Sequence, residues 1–388
     1  MKTLIETIDS NLSWGTLPQT AAWVIDQGIA IQQIPAPTFA EQHRADFVAA
    51  LMRELGLQDV MIDSLTNVYG RYPGASADRP AVMLAAHTDT IFSAETDLTL
   101  RRDGDLIYAP GLGDNSIGVS GMLGLVWALN QAKITPARDL WIVATTREEG
   151  LGDLGGMRAA FERLKPQIDS VINLEGLAYG HVYHAGIAVR RLNITLTTEG
   201  GHSWLHFGKP SAAHKLVELG ARIAAIQPPQ HPRTTYNIGM IRGGEAINAI
   251  ASHAELWLDM RSEDKDALAR LERQVRAHID AIKSSEVTIT AEIVGDRPPG
   301  FIDPSHPLVQ GAVAALNCQG VRASLENGST DGNIPLSFGV PTVTIGITRG
   351  GNAHRLDEYI DTEPVAAGMR QLIVLALAAA ESGAARTK

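Results

Sequence analysis

AVMLAAHTD, Ala81 to Asp89, decides how the rest of the chain reads. Six apolar residues run without a break into His87, and Asp89 follows two positions later. An unbroken apolar run predicts a strand buried on both faces, as in a parallel sheet. A strand ending in His-x-Asp carries an imidazole at its carboxyl end and a carboxylate near enough to hold the second ring nitrogen. A metal-binding histidine needs such a partner, because it fixes the tautomer and aims the lone pair. Alone, the tripeptide is a weak signal, since a strand-end histidine is more often a hydrogen-bonded bystander than a ligand. What the other strands end in decides the matter.

Upstream, Thr20 to Ile34 and Glu41 to Leu55 predict two helices separated by the turn Pro35-Ala36-Pro37-Thr38, with Thr38 as N-cap of the second. Asn67 to Tyr72 reads as a short strand and Pro73 to Pro80 as a loop. Downstream, Leu98 to Ile107 reads as an antiparallel excursion around Asp103-Gly104. GLGDNSIGVSGMLGLVWAL, Gly111 to Leu129, places Asp114 just before a helix spanning Ile117 to Asn130. Gly118, Ser120, Gly121 and Gly124 let that helix pack tightly against the sheet. The plain reading of Asp114 is an N-cap. A nucleotide-binding loop fails on detail, because Ser116 stands where a third glycine belongs and Tyr-Ala-Pro precedes Gly111 instead of a strand end.

DLWIVATT, Asp139 to Thr145 with its flank, predicts a second buried strand running into Arg147-Glu148-Glu149-Gly150; SVINL, Ser170 to Leu174, predicts a third that ends at Glu175. Open α/β sheets place their ligands at the carboxyl ends of strands. Three strands therefore deliver His87, the Glu148-Glu149 pair and Glu175 to one edge, and Asp114 opens the helix between the first two. Thr342 to Ile347 predicts a fourth buried strand, with His354 in the loop after it, and Thr362 to Ser382 a closing helix.

Between these parts the pattern changes. Val189 to Thr197, Thr235 to Ile241, Ala254 to Met260 and Val287 to Val294 read as strands, with helices at Ser211 to Ile226 and Lys265 to Lys283. The order β-α-β-β-α-β matches a ferredoxin-like insertion, and Pro298-Pro299-Gly300 marks the return. The expected fold is α/β: a largely parallel mixed sheet flanked by helices, formed by 1–186 and 297–388, carrying an inserted α+β domain at 187–296.

The 388 residues carry a net charge of −10 and no Lys/Arg run, which argues against nucleic-acid and anionic-membrane partners. MKTLIETIDSNLSW lacks the apolar core of a signal peptide, and no apolar run approaches the ~20 residues of a membrane span. Cys318 is the only cysteine, which excludes an internal disulfide and a thiolate zinc site; a cytoplasmic location fits.

The candidate ligands are His87, Asp114, Glu149, Glu175 and His354. Nitrogen and oxygen donors without thiolates suit zinc, or cobalt and manganese. Five protein ligands are too many for one tetrahedral ion with an open position, and they suit two ions if one carboxylate bridges. Two metals ~3.5–4 Å apart activate water and polarise a carbonyl. Glu148, next to a ligand, is left to take a proton.

AAHTDT at 85–90, GLGDNSIG at 111–118, REEG at 147–150, NLEG at 173–176, GGHS at 200–203 and AHRLDE at 353–358 together resemble the M20 family of metallopeptidases and aminoacylases over nearly the whole length. The resemblance implies a zinc-binding α/β domain with an inserted lid that dimerises. It implies Asp114 as the bridging carboxylate, with a cis peptide to Asn115, His87 and Glu175 on one metal, and Glu149 and His354 on the other. It implies Glu148 as general base and Asp89 as the partner of His87. Asn173 and Glu175 share strand parity; only Glu175 is charged, and it is the choice for the fifth ligand. A Glu there is closer to the acylase and deacylase branches than to the aminopeptidases. In the lid, His202 resembles the histidine that stabilises the oxyanion, often across a dimer, and Asn248 and Arg261 resemble residues that hold a substrate carboxylate. GSTDGN, 328–333, resembles a loop lining the substrate pocket, which makes Ser329 and Thr330 substrate contacts. His181, His184, His206, His214, His231, His253 and His306 match no motif and read as structural or surface residues.

The implied activity is hydrolysis of an amide bond in small peptides or N-acyl amino acids, by water activated at two metals with Glu148 as base. A di- or tripeptidase would use the same machinery. A metal-stabilised binding protein without turnover would have no need of Glu148.

Overall fold

In the computed structural model, which describes residues 1–76 and 78–382, Ala81–His87 is a strand with every residue buried. It pairs in parallel with Leu140–Thr145 on one side and Ile168–Leu174 on the other, and Thr342–Ile345 pairs in parallel with Ile168–Leu174. Such strands are apolar throughout because both sheet faces are covered. The full order is Gln58–Ile62, Val68–Tyr72, Leu140–Thr145, Ala81–His87, Ile168–Leu174, Thr342–Ile345, His181–Gly186, Gly300–Phe301, with Ser324–Gly328 beside His181–Gly186. The outermost pairings of Gln58–Ile62 and Val68–Tyr72 are antiparallel. Four parallel strands at the centre bring their carboxyl ends to one edge, where His87, the turn after Thr145 and Glu175 emerge together.

Ile117–Ala132 is buried along almost its whole length. Its small residues serve more than the sheet. A β-carbon at Gly121 would lie 2.6 Å from the Ile347 side chain, and one at Gly118 would run into the side chain of Asn115.

The helix Lys2–Asn11 and the strand Gln58–Ile62 carry no sequence signal that foretells them. The helix has one buried residue, Ile5, and no side-chain cap; the strand is an edge with no buried position. Thr38 is not an N-cap. The helix Gln42–Glu54 starts later, with Glu41 at its N-cap, and the Thr38 hydroxyl donates instead to Asp89 Oδ2 at 2.8 Å.

The chain forms two compact units, residues 1–186 with those from Gly300 onward, and Ile187–Pro299. The second unit is a four-stranded sheet in the order Thr234–Gly243, His253–Ser262, Ala188–Thr197, Thr288–Arg297, antiparallel throughout. The helices Ala212–Ala224 and Lys265–Ile282 pack on it and share its own apolar core. Asp264 caps the second helix, accepting from Ala267 N at 2.7 Å. The last strand runs on through Arg297, so the chain leaves this unit at Pro299 and not before Arg297.

Among the described residues one helix, Val365–Ser382, is long and apolar enough to cross a membrane, and 67% of it is buried. Its side chains belong to the core of the first unit. Arg138, itself fully buried, ties its end down. The guanidinium donates to Ala379 O and Ala380 O at 2.6 and 2.9 Å, to Pro80 O at 2.6 Å, and to Asp169 Oδ2 at 2.5 Å. Removing one member of a buried ion pair strands the other charge, at a cost of about 3–5 kcal/mol. Arg138→Met should therefore lower the unfolding midpoint of this unit sharply, and adding Asp169→Leu should recover part of the loss. An unchanged midpoint in the single variant would show that the pair carries no such weight.

Candidate metal centre

His87 is the last residue of its strand and is 2% exposed. Its Nδ1 lies 3.1 Å from the main-chain oxygen of Asp89. A carbonyl oxygen only accepts, so Nδ1 carries the hydrogen and Nε2 is aimed the other way. There it meets Asp114 Oδ1 at 3.1 Å and Glu175 Oε2 at 3.5 Å. His354 comes from a hairpin loop between Arg349–Gly351 and Tyr359–Asp361 and adopts φ +67. Its Nε2 lies 3.0 Å from Asp114 Oδ2 and 3.0 Å from Glu149 Oε1. Asp114 thus stands between two histidines, one oxygen toward each, and a glutamate accompanies each histidine. Donor atoms of His87, Asp114 and Glu149 all lie within 4.8 Å of one another, the spacing of a metal site.

Side-chain ties hold the loops that deliver these groups. The Asp89 carboxylate lies 3.6 Å from His87 Nδ1. Its shorter bonds run elsewhere: Oδ1 accepts Glu148 N at 2.9 Å, and Oδ2 accepts Glu149 N at 3.0 Å as well as the Thr38 hydroxyl. Asp89 therefore sets the turn that carries the glutamate pair, while its main chain orients His87. The Asp114–Asn115 peptide is cis. The Asn115 amide brackets Glu175, donating to Leu174 O and accepting from Gly176 N, both at 2.8 Å. Glu358 Oε1 accepts Gly113 N at 2.7 Å and Asp114 N at 3.0 Å. Glu148, 6% exposed, adjoins this cluster through the same turn.

Thr330 is spent on the cage: its hydroxyl donates to Glu175 Oε1. Asn173 lies outside the cluster, fully buried, with Nδ2 donating to Thr330 Oγ1 at 3.2 Å and Thr344 Oγ1 at 3.3 Å. Ser329, next to Thr330 in the chain, is partly exposed. Beneath His87, the buried Asp331 accepts from Thr145 Oγ1 at 2.5 Å, and burial pushes its carboxyl up to about 7.

In the second unit, Gly201–His202 pairs with Ala249–Ile250, and Ser203 N donates to Asn248 O at 3.0 Å. His202 and Asn248 are thereby neighbours. His202 Nδ1 accepts from Trp204 N and Leu205 N at 3.2 and 3.4 Å, so the ring hydrogen of the neutral imidazole sits on Nε2, in an exposed side chain. His206 supports the turn, its Nδ1 accepting His202 N at 2.9 Å. Arg261 is exposed and engages Asp259 through Nε at 2.7 Å.

Thr38, Asn115 and Glu358 escaped the sequence reading as site residues. Asn115 and Glu358 lie inside quoted motifs, yet only their partners reveal a role, and those partners are 59 and 245 positions away. Thr38 carried a turn signal that pointed to a cap.

Clustered carboxylates raise both imidazoles. Burial of His87 opposes its proton, but the charge of Glu175 and bonds to Asp114, Asp89 and Glu175 outweigh that and hold its pKa well above 6.5. Bonds to Asp114 and Glu149 raise His354 from 6.5 to about 10. A histidine raised on folding gives stability that is complete below its unfolded pKa and is lost as pH rises through the folded value. The metal-free protein should therefore lose melting temperature between pH 6.5 and about 10, and metal saturation should abolish that decline, because cations replace the protons. A metal-free melting temperature that is flat or rising over this window would contradict the arrangement.

The chain is 26% identical over 398 residues to an acetylornithine deacetylase of Edwardsiella ictaluri, covering 93% of this chain and 92% of that one. A tripeptidase from Staphylococcus aureus superposes with TM-score 0.78 at 21% identity, over 93% of this chain and 99% of its own. A dinuclear metal binding peptidase from the M20 family of Bacillus subtilis does so with TM-score 0.66 at 16% identity, over 93% and 98%. At these identities the solved structures speak for the fold. The family described as Peptidase family M20/M25/M40 matches residues 83–378, the span that holds all five candidate ligands. The chain belongs to this M20 peptidase family and is a hydrolytic enzyme.

Proposed function

We propose that the chain hydrolyses an amide bond in N-acyl amino acids or small peptides, with two divalent cations as cofactors. The observation that carries this is the place of Asp114 between His87 and His354, one carboxylate oxygen toward each. Two imidazole nitrogens and three carboxylates fit zinc, cobalt or manganese, and His87 has its Nε2 aimed by the bond at Nδ1. His87, Asp114 and Glu175 would hold one ion, and His354, Asp114 and Glu149 the other. Bound there, the cations supply Lewis-acid polarisation of the amide carbonyl and a lowered pKa for water.

Glu148 takes the proton of the attacking water and delivers it to the leaving nitrogen. Its neighbour Glu149 is a ligand, and Asp89 fixes both by their main-chain N–H groups. His202 donates from Nε2 to the oxyanion of the tetrahedral intermediate, reaching the site of a second copy of the chain in a homodimer. Asn248 and Arg261 receive a substrate carboxylate, and Ser329 lines the pocket, while Thr330, expected there too, is engaged with Glu175. The deacetylase relative supports an N-acyl amino acid as substrate.

A hydrolysis screen with zinc, cobalt and manganese over N-acyl amino acids, dipeptides and tripeptides tests this reading. Cleavage of N-acyl amino acids with a free carboxylate is expected to dominate. Metal-saturated protein with no turnover on any of these substrates would refute this reading of the substrate.

The glutamate pair separates chemistry from binding. Glu148→Gln should retain near two equivalents of metal and lose about 10²–10⁴-fold in kcat, whereas Glu149→Gln should lose or weaken one metal. The reverse pattern would exchange their roles. His202→Ala should keep both metals and lose about 10²–10³-fold. Mixing it with Glu148→Ala chains should restore activity if the histidine acts across the dimer; confirmed subunit exchange without rescue would place it within its own chain.

A further inference from the structure

Glu358 is fully buried, yet nothing in the reaction above uses it. Burying a carboxylate is costly unless hydrogen bonds replace its water. Here Oε1 takes two main-chain donors, Gly113 N and Asp114 N, and Oε2 is buried without a partner. A carboxylate kept in so poorly satisfied a place is a poor choice for packing alone. Burial, with the nearby charge of Asp114, raises it to about 7, against the main-chain N–H groups that favour its charge.

Its location gives the reason. The turn Leu112–Ser116 is irregular: Asp114 sits at φ −117, ψ 90 and Asn115 at φ −137, ψ 32, outside helical values. The N–H groups of residues 113 and 114 point to Glu358 and not into a regular ladder. Glu358 lies four residues after His354, where its own N–H bonds to Arg355 O at 3.1 Å and its carbonyl accepts Ala109 N at 2.9 Å. One side chain on the His354 hairpin therefore grips the turn that presents Asp114. The contact between Asp114 Oδ2 and His354 Nε2, 3.0 Å, spans the two pieces that this grip joins.

We infer that Glu358 is a positioning residue for the metal centre: by accepting the N–H groups of Gly113 and Asp114 it fixes the bridging carboxylate against His354. The inference rests on the reading of the cluster as a two-metal site. It also accounts for the length of AHRLDE, in which the ligand and its positioning group stand on one short loop. Groups that hold metal ligands in place typically change metal affinity about 10–100-fold when removed.

The test uses the full chain with Glu358→Ala, Glu358→Asp and Glu358→Gln. Metal is stripped and zinc or cobalt returned in competition with a chromophoric chelator, and the visible absorption of the cobalt form reports ligand geometry. Glu358→Ala and Glu358→Asp should bind metal about 10–100-fold more weakly with an altered cobalt spectrum. The aspartate keeps the charge but withdraws the oxygen by one methylene. Glu358→Gln retains an acceptor at the right reach and should lie closer to wild type, short of it because charge-assisted bonds are the stronger ones. Wild-type affinity and spectrum in all three variants, whatever their melting temperatures, would make Glu358 a packing residue and overturn the inference. If Glu358→Ala does not fold, the other two decide: aspartate at wild-type affinity refutes it, and glutamine closer to wild type than aspartate upholds it. A wild-type chain that takes up no metal would remove the metal centre itself, a failure distinct from variants that bind as well as wild type.

Discussion

Asp114 between two histidines is the constraint on which the rest of the first unit depends. Around it stand Glu149 and Glu175, with Asp89 and Glu358 behind them, and like charges this close repel strongly in a water-poor setting. The fold gives three of these carboxylates neutral donors, while Asp114 and Glu149 face the histidines. Asp89 takes the N–H groups of Glu148 and Glu149, Glu358 those of Gly113 and Asp114, and Glu175 the Thr330 hydroxyl. Positive charge is still required at the centre, and raised imidazoles or cations supply it. The chemistry proposed for the site follows from that demand.

The same ties explain why short motifs span so much of the sequence. Three of the motifs pair a group that faces the centre with a group that holds a different loop. In HTD the imidazole faces inward and the aspartate fixes the glutamate turn. In GLGDNSIG, Asp114 faces inward, while the Asn115 amide brackets Glu175 and requires that position 118 have no side chain. In AHRLDE, His354 faces inward and Glu358 grips the Asp114 turn. A loop error in any one of them would displace ligands on the others.

The inserted unit has its own sheet and its own core, so its contribution to function rests on what its loops present. The β-ladder of Gly201–His202 with Ala249–Ile250 sets His202 beside Asn248. The two N–H groups on His202 Nδ1 decide which ring nitrogen donates. The oxyanion role proposed for His202 needs that tautomer before substrate arrives, and the local turn favours it.

The sequence by itself determined the central strands, the β-α-β-β-α-β order of the insertion, and which side chains gather around Asp114 at the strand ends. These follow from local rules: unbroken apolar runs make buried parallel strands, and such strands place polar residues at their carboxyl ends. The edge strand Gln58–Ile62 and the helix Lys2–Asn11 were illegible because neither buries enough to leave a pattern. Thr38 misled because a threonine before a helix looks the same whether it caps the helix or serves Asp89. What only tertiary structure decided is the supporting layer: Asn115 on Glu175, Glu358 on Asp114, and Thr330 on Glu175. A hydrogen bond across 245 residues leaves no trace in local composition or periodicity, because its partner on the Asp114 turn is a main-chain N–H, and the backbone is the same in every residue but proline.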